Sequence, residues 1–149
     1  MHKTRVSQHF YLSLFEFLMT AKQQIMAIGG EFGLTAIQTT TLILLDGKKP
    51  QPMNFFCRLY HCDASNITGI IDGLEKKGLV SRQNSPDDRR IKVIKLESAG
   101  KRLQQSIFKR FDDASGFLFD PLDGKKEKQQ LIKIVEKLGA AKTAHQNQD

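Results

Sequence analysis

The sequence has no apolar run approaching the about 20 residues that a membrane-spanning helix needs. It has two cysteines, Cys57 and Cys62, too few for a disulfide framework. It opens polar and basic, then becomes amphipathic, with no small-residue cleavage site, so no secretory signal is read. No internal repeat or low-complexity tract breaks it up. It also lacks a phosphate-binding glycine loop, a metalloprotease helix and a nucleophile elbow. These absences exclude a membrane span and offer no support for an enzyme. They point to the cytoplasm and call for no cofactor.

Charge is what the chain has. Lysine and arginine number 23 against 16 acids, a net of +7. The excess sits in one place: residues 75–110 hold 11 basic and 4 acidic residues, and the remainder balances at 12 and 12. A one-sided basic segment favours a polyanion, nucleic acid first and an anionic membrane surface second. Evenly spread charge would have suited a merely solubilising surface better.

Periodicity organises the rest. In "VSQHFYLSLFEFLMTAKQQIMAIGG", Phe10, Leu14, Phe17, Leu18, Ala21, Ile25 and Ile28 follow helical spacing, and Tyr11, Leu12, Phe15, Met19 and Met26 add a second apolar surface. A helix apolar on two sides is deeply buried or packed on another subunit. In a chain of this size a dimer interface is the favoured reading, against the central helix of a monomer. Gly29 and Gly30 are expected to end this helix. "LTAIQTTTLILLDG" opens with Thr35 and Gln38 at capping-box spacing, with Leu34, Ile37, Leu42 and Leu45 as its apolar face. "KKPQP" reads as a basic connector. "MNFFCRLYHC" reads as a short helix with Phe55, Phe56, Leu59 and Tyr60 inward and a break at Cys62.

"DASNITGIIDGLEKKG" is the most regular short helix. Asp63 suits the N-cap, Ile67, Ile70, Ile71 and Leu74 form the inner face, and Gly78 suits the stop. Its outer face, Ser65, Asn66, Thr68, Gly69, Asp72, Gly73 and Lys76, is short and polar where a solvated helix usually carries Glu, Lys and Arg. Something needs close approach there, and a DNA groove is one such thing. "LVSRQ" and "IKVIKL" then pair around the tip "NSPDDRR". Two helices follow, with Leu103, Ile107, Phe111, Ala114 and Leu118 inward in the first. Asp123 is a possible N-cap of the second, with Leu131, Ile134, Val135 and Leu138 inward. "AAKTAHQNQD" reads as a frayed end.

Two helices around a tight turn, then a hairpin, describe a winged helix-turn-helix: mainly α, with a small β-hairpin wing. Through "LTAIQ", "CDASNITGIIDGLEKKGLVSR", "DDRR" and "LESAG" the sequence resembles the MarR family of bacterial transcription regulators over nearly its whole length. The resemblance implies one domain over residues 1–149, with a DNA-binding lobe at 34–96 and a helical dimerisation region at 1–30 and 98–140. It implies a homodimeric repressor on a near-palindromic operator in double-stranded DNA. Residues Ser65, Asn66, Thr68 and Gly69 would face the major groove, where Asn can bond adenine and Ser or Thr can read bases or hold phosphates. For Ser65, helix capping is the competing role. The hairpin tip would lie in the adjacent minor groove, with Asp88 the brace, Arg90 the inserted residue and Arg89 a phosphate contact. Lys76, Arg82 and Lys92 are further phosphate candidates. One departure stands out: the family usually has Thr where Glu97 stands, so Ser98 is left to cap the following helix.

The resemblance also implies a small aromatic or phenolic effector in a cleft, for which Phe10, Leu14, Phe17 and Met26 are suited, although such residues at helical spacing are more often plain core. His9 reads as packing or cavity lining. "CRLYHCD" places Cys57, His61, Cys62 and Asp63 together, metal-ligand types without a second ligand pair at finger-like spacing. No metal site is expected. The alternatives carried forward are a redox-sensing regulator using Cys57 or Cys62, and a sequence-neutral architectural DNA-binding protein.

Overall fold

A computed structural model describes residues 7–118, 122 and 124–146, with the side chains of 115–118 and 140–146 set aside. The elements run α1 (Gln8–Glu31), α2 (Ala36–Leu44), β1 (Gln51–Pro52), α3 (Met53–Tyr60), α4 (Ala64–Lys76), β2 (Val80–Asn84), β3 (Lys92–Leu96), α5 (Ser98–Leu118) and α6 (Gly124–Gln146). The fold is mainly helical, with one small antiparallel sheet in the order β1-β3-β2. The chain divides into two compact units, Met1–Phe111 and Asp112–Asp149.

Capping chemistry sets the helix boundaries. The Thr35 hydroxyl accepts from the Gln38 N–H at 3.3 Å and the Gln38 side-chain oxygen accepts from the Thr35 N–H at 3.1 Å, completing the expected capping box. Asp63 caps α4 by accepting from the Asn66 N–H at 3.0 Å. At the other end of α4, Gly78 takes φ +68. Its N–H donates to the Glu75 carbonyl at 2.8 Å, and the Leu79 N–H donates to the Leu74 carbonyl at 3.1 Å. That is the paired-bond stop that favours glycine.

Gly29 and Gly30 do not end α1. The helix continues to Glu31, and Gly33, at φ +66, makes the same kind of stop. Gly29 is glycine for a different reason: a Cβ there would lie 2.1 Å from the Thr39 Oγ1, so its hydrogen lets α1 cross α2. Gly100 makes a similar junction, since a Cβ there would meet the Leu79 carbonyl oxygen at 2.1 Å.

The core of the first unit gathers Leu42, Phe56, Ile67, Ile71, Leu74, Ile94 and Ile107, all buried. Thr39 and Thr41 of α2 are buried too. Their hydroxyls donate to the Thr35 and Ile37 carbonyls, and Thr41 shares a 2.9 Å hydrogen bond with the Tyr60 hydroxyl. Ile37 is exposed rather than inward. Of the apolar residues expected inside α3, only Phe56 is fully buried; Phe55 and Tyr60 are half-buried and Leu59 is exposed. The break after α3 falls on His61, in the left-handed region at φ 49, one residue before Cys62.

The "KKPQP" connector ends in a strand. Gln51 and Pro52 pair with Ile94 and Val93 of β3, and proline is tolerated there because this strand forms the sheet edge. Ser98 opens α5 instead of capping it. Glu97 supplies the carbonyl that accepts from Lys101 at 2.8 Å, while its carboxylate accepts from the Ser81 hydroxyl at 2.5 Å. α6 continues through the stretch expected to fray, up to Gln146. Leu131 of α6 is half-buried, but Ile134, Val135 and Leu138 are exposed rather than inward. Among the described residues of the unit Asp112–Asp149, no apolar side chain is buried. Asp123 and the side chain of Leu118 lie outside the described residues.

Candidate nucleic-acid interface

α4 buries Ile67, Ile71 and Leu74 and turns the opposite side outward. Ser65, Asn66, Thr68, Gly69 and Lys76 are all exposed there. Their hydrogen-bonding capacity is unequally spent. The Ser65 hydroxyl donates to the Asp63 carboxylate at 2.7 Å, so its capping role is present in the free chain. Together with the Asn66 N–H it holds the Asp63 carboxyl below the usual carboxylate range, the Asn66 bond contributing most. The Thr68 hydroxyl donates to the Ala64 carbonyl at 2.8 Å and keeps its acceptor capacity. Asn66 gives the cap its backbone N–H, which leaves the amide group at the surface.

Glycine sorts the face further. Nothing lies within 4 Å of a Cβ built at Gly69, whereas one at Gly73 would meet the Gln38 Nε2 at 2.3 Å. Gly73 therefore faces α2 and leaves the outer face proposed for it. Gly69 faces open space, and no neighbour in the protein requires it to be glycine.

The hairpin projects beside this face. β2 and β3 pair in register from Val80↔Leu96 to Asn84↔Lys92. The tip closes through the Ser85 N–H to the Ile91 carbonyl at 2.8 Å and the Ile91 N–H to the Asp88 carbonyl at 2.9 Å. Inside that turn Asp88 accepts from the Arg90 N–H at 3.0 Å and from the Arg90 Nε at 3.2 Å. The Arg90 side chain is still 92% exposed, held at its base and free at its surface. Arg89 is exposed next to it. The Lys92 ammonium donates to the Asn84 side chain at 2.6 Å.

Arg82 is placed differently from the other basic candidates. Its guanidinium donates to the Asp72 carboxylate and, at 2.9 Å, to the Thr68 carbonyl, and pairs with Glu75 at 3.1 Å. Its backbone N–H donates to the other Glu75 oxygen at 2.8 Å. Sequence reasoning did not assign Asp72 and Glu75 to this arginine. Their three-residue spacing, which puts two carboxylates on one helix face, was the available signal.

The four residues suggested for an effector, Phe10, Leu14, Phe17 and Met26, are all at least 38% exposed on α1, as is much of the same helix. Cys57 and Cys62 are reduced and half-buried. Partial burial, then the nearby Cys57 and Asp63, push the Cys62 thiol above its ordinary value, which disfavours the thiolate. Among the described residues no helix is long and apolar enough to cross a membrane, and no group of His, Cys, Asp and Glu is arranged to hold a metal ion.

Comparison with known proteins agrees with this layout. Residues 34–92 match the MarR family model. The uncharacterized HTH-type transcriptional regulator YpoP of Bacillus subtilis (strain 168) is 32% identical over 87 residues, 53% of this chain and 62% of its own length. The HTH-type transcriptional repressor YetL of the same organism is 35% identical over 72 residues, 48% of this chain and 42% of its own. The chain thus spans about half the length of these curated relatives. The fold itself matches a crystal structure of MarR with a TM-score of 0.77 over 100% of this chain and 99% of that one, at 18% identity. The matched segment runs from the start of the helix-turn-helix into the wing, so residues 34–92 form a MarR-family segment, and the chain as a whole shares the fold of MarR structures.

Proposed function

We propose that the protein is a sequence-specific repressor that binds duplex DNA as a symmetric homodimer. α4 enters the major groove, with Asn66 as the principal base reader and Ser65 and Thr68 beside it. The hairpin lies along the neighbouring minor groove with Arg90 inserted. Arg89, Lys76 and Lys92 meet phosphates. The observation that carries this reading is the pairing of a small-residue helix face with an arginine that is braced by Asp88 yet almost fully exposed. A narrow minor groove concentrates negative potential, and a pre-oriented arginine loses less conformational freedom on entering it.

Dimerisation is supported by the apolar surface that the chain leaves uncovered. Phe10, Phe15 and Met19 on α1 are each more than half exposed, as are Ile132, Val135 and Leu138 on α6. The lobe is residues 34–96 and the dimerising segments are 1–30 and 98–140. A small aromatic effector would use the exposed side of α1 at Phe10, Leu14, Phe17 and Met26, and its binding would release the DNA. The raised Cys62 thiol weighs against a thiolate sensor at that residue.

Duplexes enriched from a random-sequence pool test the reading. The full chain should sediment as a dimer and shift an enriched, near-palindromic duplex with half-sites about one helical turn apart. Binding should weaken steeply with salt. Equal affinity for enriched and random duplexes at one salt concentration would make it an architectural binder, and a stable monomer at micromolar concentration would remove the paired-half-site arrangement.

A further inference from the structure

We infer that Arg82 is the residue that fixes the angle between the reading helix α4 and the wing, and that it sets sequence discrimination without touching DNA. The inference rests on the proposed DNA-binding reading. Arg82 is the third residue of β2, and its guanidinium lies against α4. A guanidinium has five N–H donors. Both hydrogens of Nη2 are taken, by Asp72 and by the Thr68 carbonyl at 2.9 Å, and Nη1 is held by Glu75 at 3.1 Å. Glu75 also accepts the backbone N–H of Arg82 at 2.8 Å, so one carboxylate fixes both the strand and the side chain.

Two consequences separate Arg82 from the other basic residues of the lobe. Its side chain is 27% exposed, against 92% for Arg90. To meet a phosphate it would have to leave two carboxylates and a carbonyl. The cluster of Arg82, Asp72 and Glu75 also carries one net negative charge, which repels a phosphate instead of attracting it. What the cluster does is geometric. Thr68, Asp72 and Glu75 are spaced along the flank of α4 that faces the hairpin, so a planar fork binding all three leaves the strand one orientation against the helix. β2 runs on to Asn84, at the base of the turn that carries Arg90. The rotation of α4 in one groove and the reach of the wing into the next are therefore set by a single side chain.

Lysine at this position keeps the charge but presents one point donor in place of a fork. The test uses the full chain, a duplex enriched by the wild type from a random pool, and a random duplex. Arg82→Lys, Arg82→Gln, Asp72→Asn and, as the control for a DNA-contacting cation, Arg90→Ala are titrated across a salt series below their melting temperatures. Arg82→Lys and Arg82→Gln should each weaken binding to the enriched duplex by roughly tenfold, with little change on the random duplex and with the wild-type salt slope retained. Asp72→Asn should weaken it as well, although it removes a negative charge, and Arg82→Gln combined with Asp72→Asn should cost less than the sum of the two. If Arg82→Gln flattens the salt slope by about one unit, as a phosphate contact does, the inference is wrong. It is equally wrong if Arg82→Lys is indistinguishable from wild type, or if Asp72→Asn binds more tightly. If Arg82→Gln does not fold, Arg82→Lys and Asp72→Asn decide the matter alone. Failure of the wild type to enrich any duplex would overturn the DNA-binding reading itself, a different result from any of these.

Discussion

Replacing Gly69 by alanine should make the protein more stable and a poorer DNA binder. Gly69 lies in the middle of α4, where a Cβ would have nothing within 4 Å, so alanine meets no clash in the free protein. Alanine in a helix interior is favoured over glycine by about 1 kcal/mol, because the unfolded glycine has more backbone freedom to lose. For a chain of this length that corresponds to a rise of about 2–4 °C in melting temperature. Gly29 and Gly100 have no such option, since a Cβ at either would meet a neighbour at 2.1 Å. The helix therefore carries a glycine that its own fold does not need. In the complex the added methyl would stand between the α4 backbone and the groove floor. Overfilling a packed interface costs about 1–3 kcal/mol, or roughly 5- to 150-fold in affinity. Thermal melting and titration of the enriched duplex at one fixed salt concentration measure the two effects on the same preparation. Higher stability with unchanged or tighter binding would show that the groove does not approach this face, and lower stability would show that the face is not open.

Three further substitutions address separate parts of the interface. Asn66→Ala should cost about 1–3 kcal/mol on the enriched duplex and little on random DNA, and equal losses on both would make Asn66 a phosphate contact or a structural residue. Asp88→Ala removes a negative charge and on Coulomb grounds should tighten binding; if Asp88 orients Arg90 it should weaken binding, and the double variant with Arg90→Ala should cost less than the sum, as read by gel shift. Gly100→Ala forces a methyl onto the Leu79 carbonyl and should lower stability in chemical denaturation by about 1–3 kcal/mol, whereas an unchanged midpoint would contradict the close approach of α5 to Leu79, the residue before β2.

What was legible in the sequence was local. The capping box of Thr35 and Gln38, the Asp63 cap, the Gly78 stop and the hairpin each involve residues a few positions apart and appear as the spacing suggested, and the Asp88–Arg90 pair in the turn appears as the family resemblance implied. The misreadings involve partners far along the chain. Gly29 looked like a helix stop because a stop and a close crossing use the same residue, and only the position of Thr39 tells them apart. Gly73 belonged to α2 through Gln38 for the same reason. The strand at Gln51–Pro52 is too short for any alternation to show; it exists because β3 offers an edge some 40 residues later. Arg82 looked like a free cation because its acceptors lie on another element, 7 to 14 residues before it. The apolar side chains of α1 and α6 gave the right periodicity, but periodicity does not say what a face will cover.

That non-local pairing also changes how the basic segment should meet a polyanion. By sequence, residues 75–110 carry an excess of +7. Two of their eleven cations are matched by carboxylates from outside the segment: Arg82 by Asp72, and Arg110 by Glu31 through two hydrogen bonds of 2.7 Å. With Asp72 and Glu31 included, eleven cations face six carboxylates, and the excess falls to +5. Lys92 is bound to a neutral amide and keeps its charge for DNA. Each neutralised phosphate contributes about 0.9 to the slope of log affinity against log salt, so the slope per protomer should not exceed about 4.5. The ion pair of Arg110 holds the Glu31 carboxyl below its usual range, the side-chain hydrogen bond being the largest cause. Arg110→Gln should flatten the slope less than the loss of a wing-tip cation, because two hydrogen bonds hold the Arg110 guanidinium on Glu31. Arg90→Ala, which removes an exposed cation at the wing tip, should flatten it by up to about one unit. A slope well above 4.5, or equal flattening by the two substitutions, would mean that the Glu31 pair opens on DNA and that charge counted along the sequence describes the interface better than charge counted in the fold.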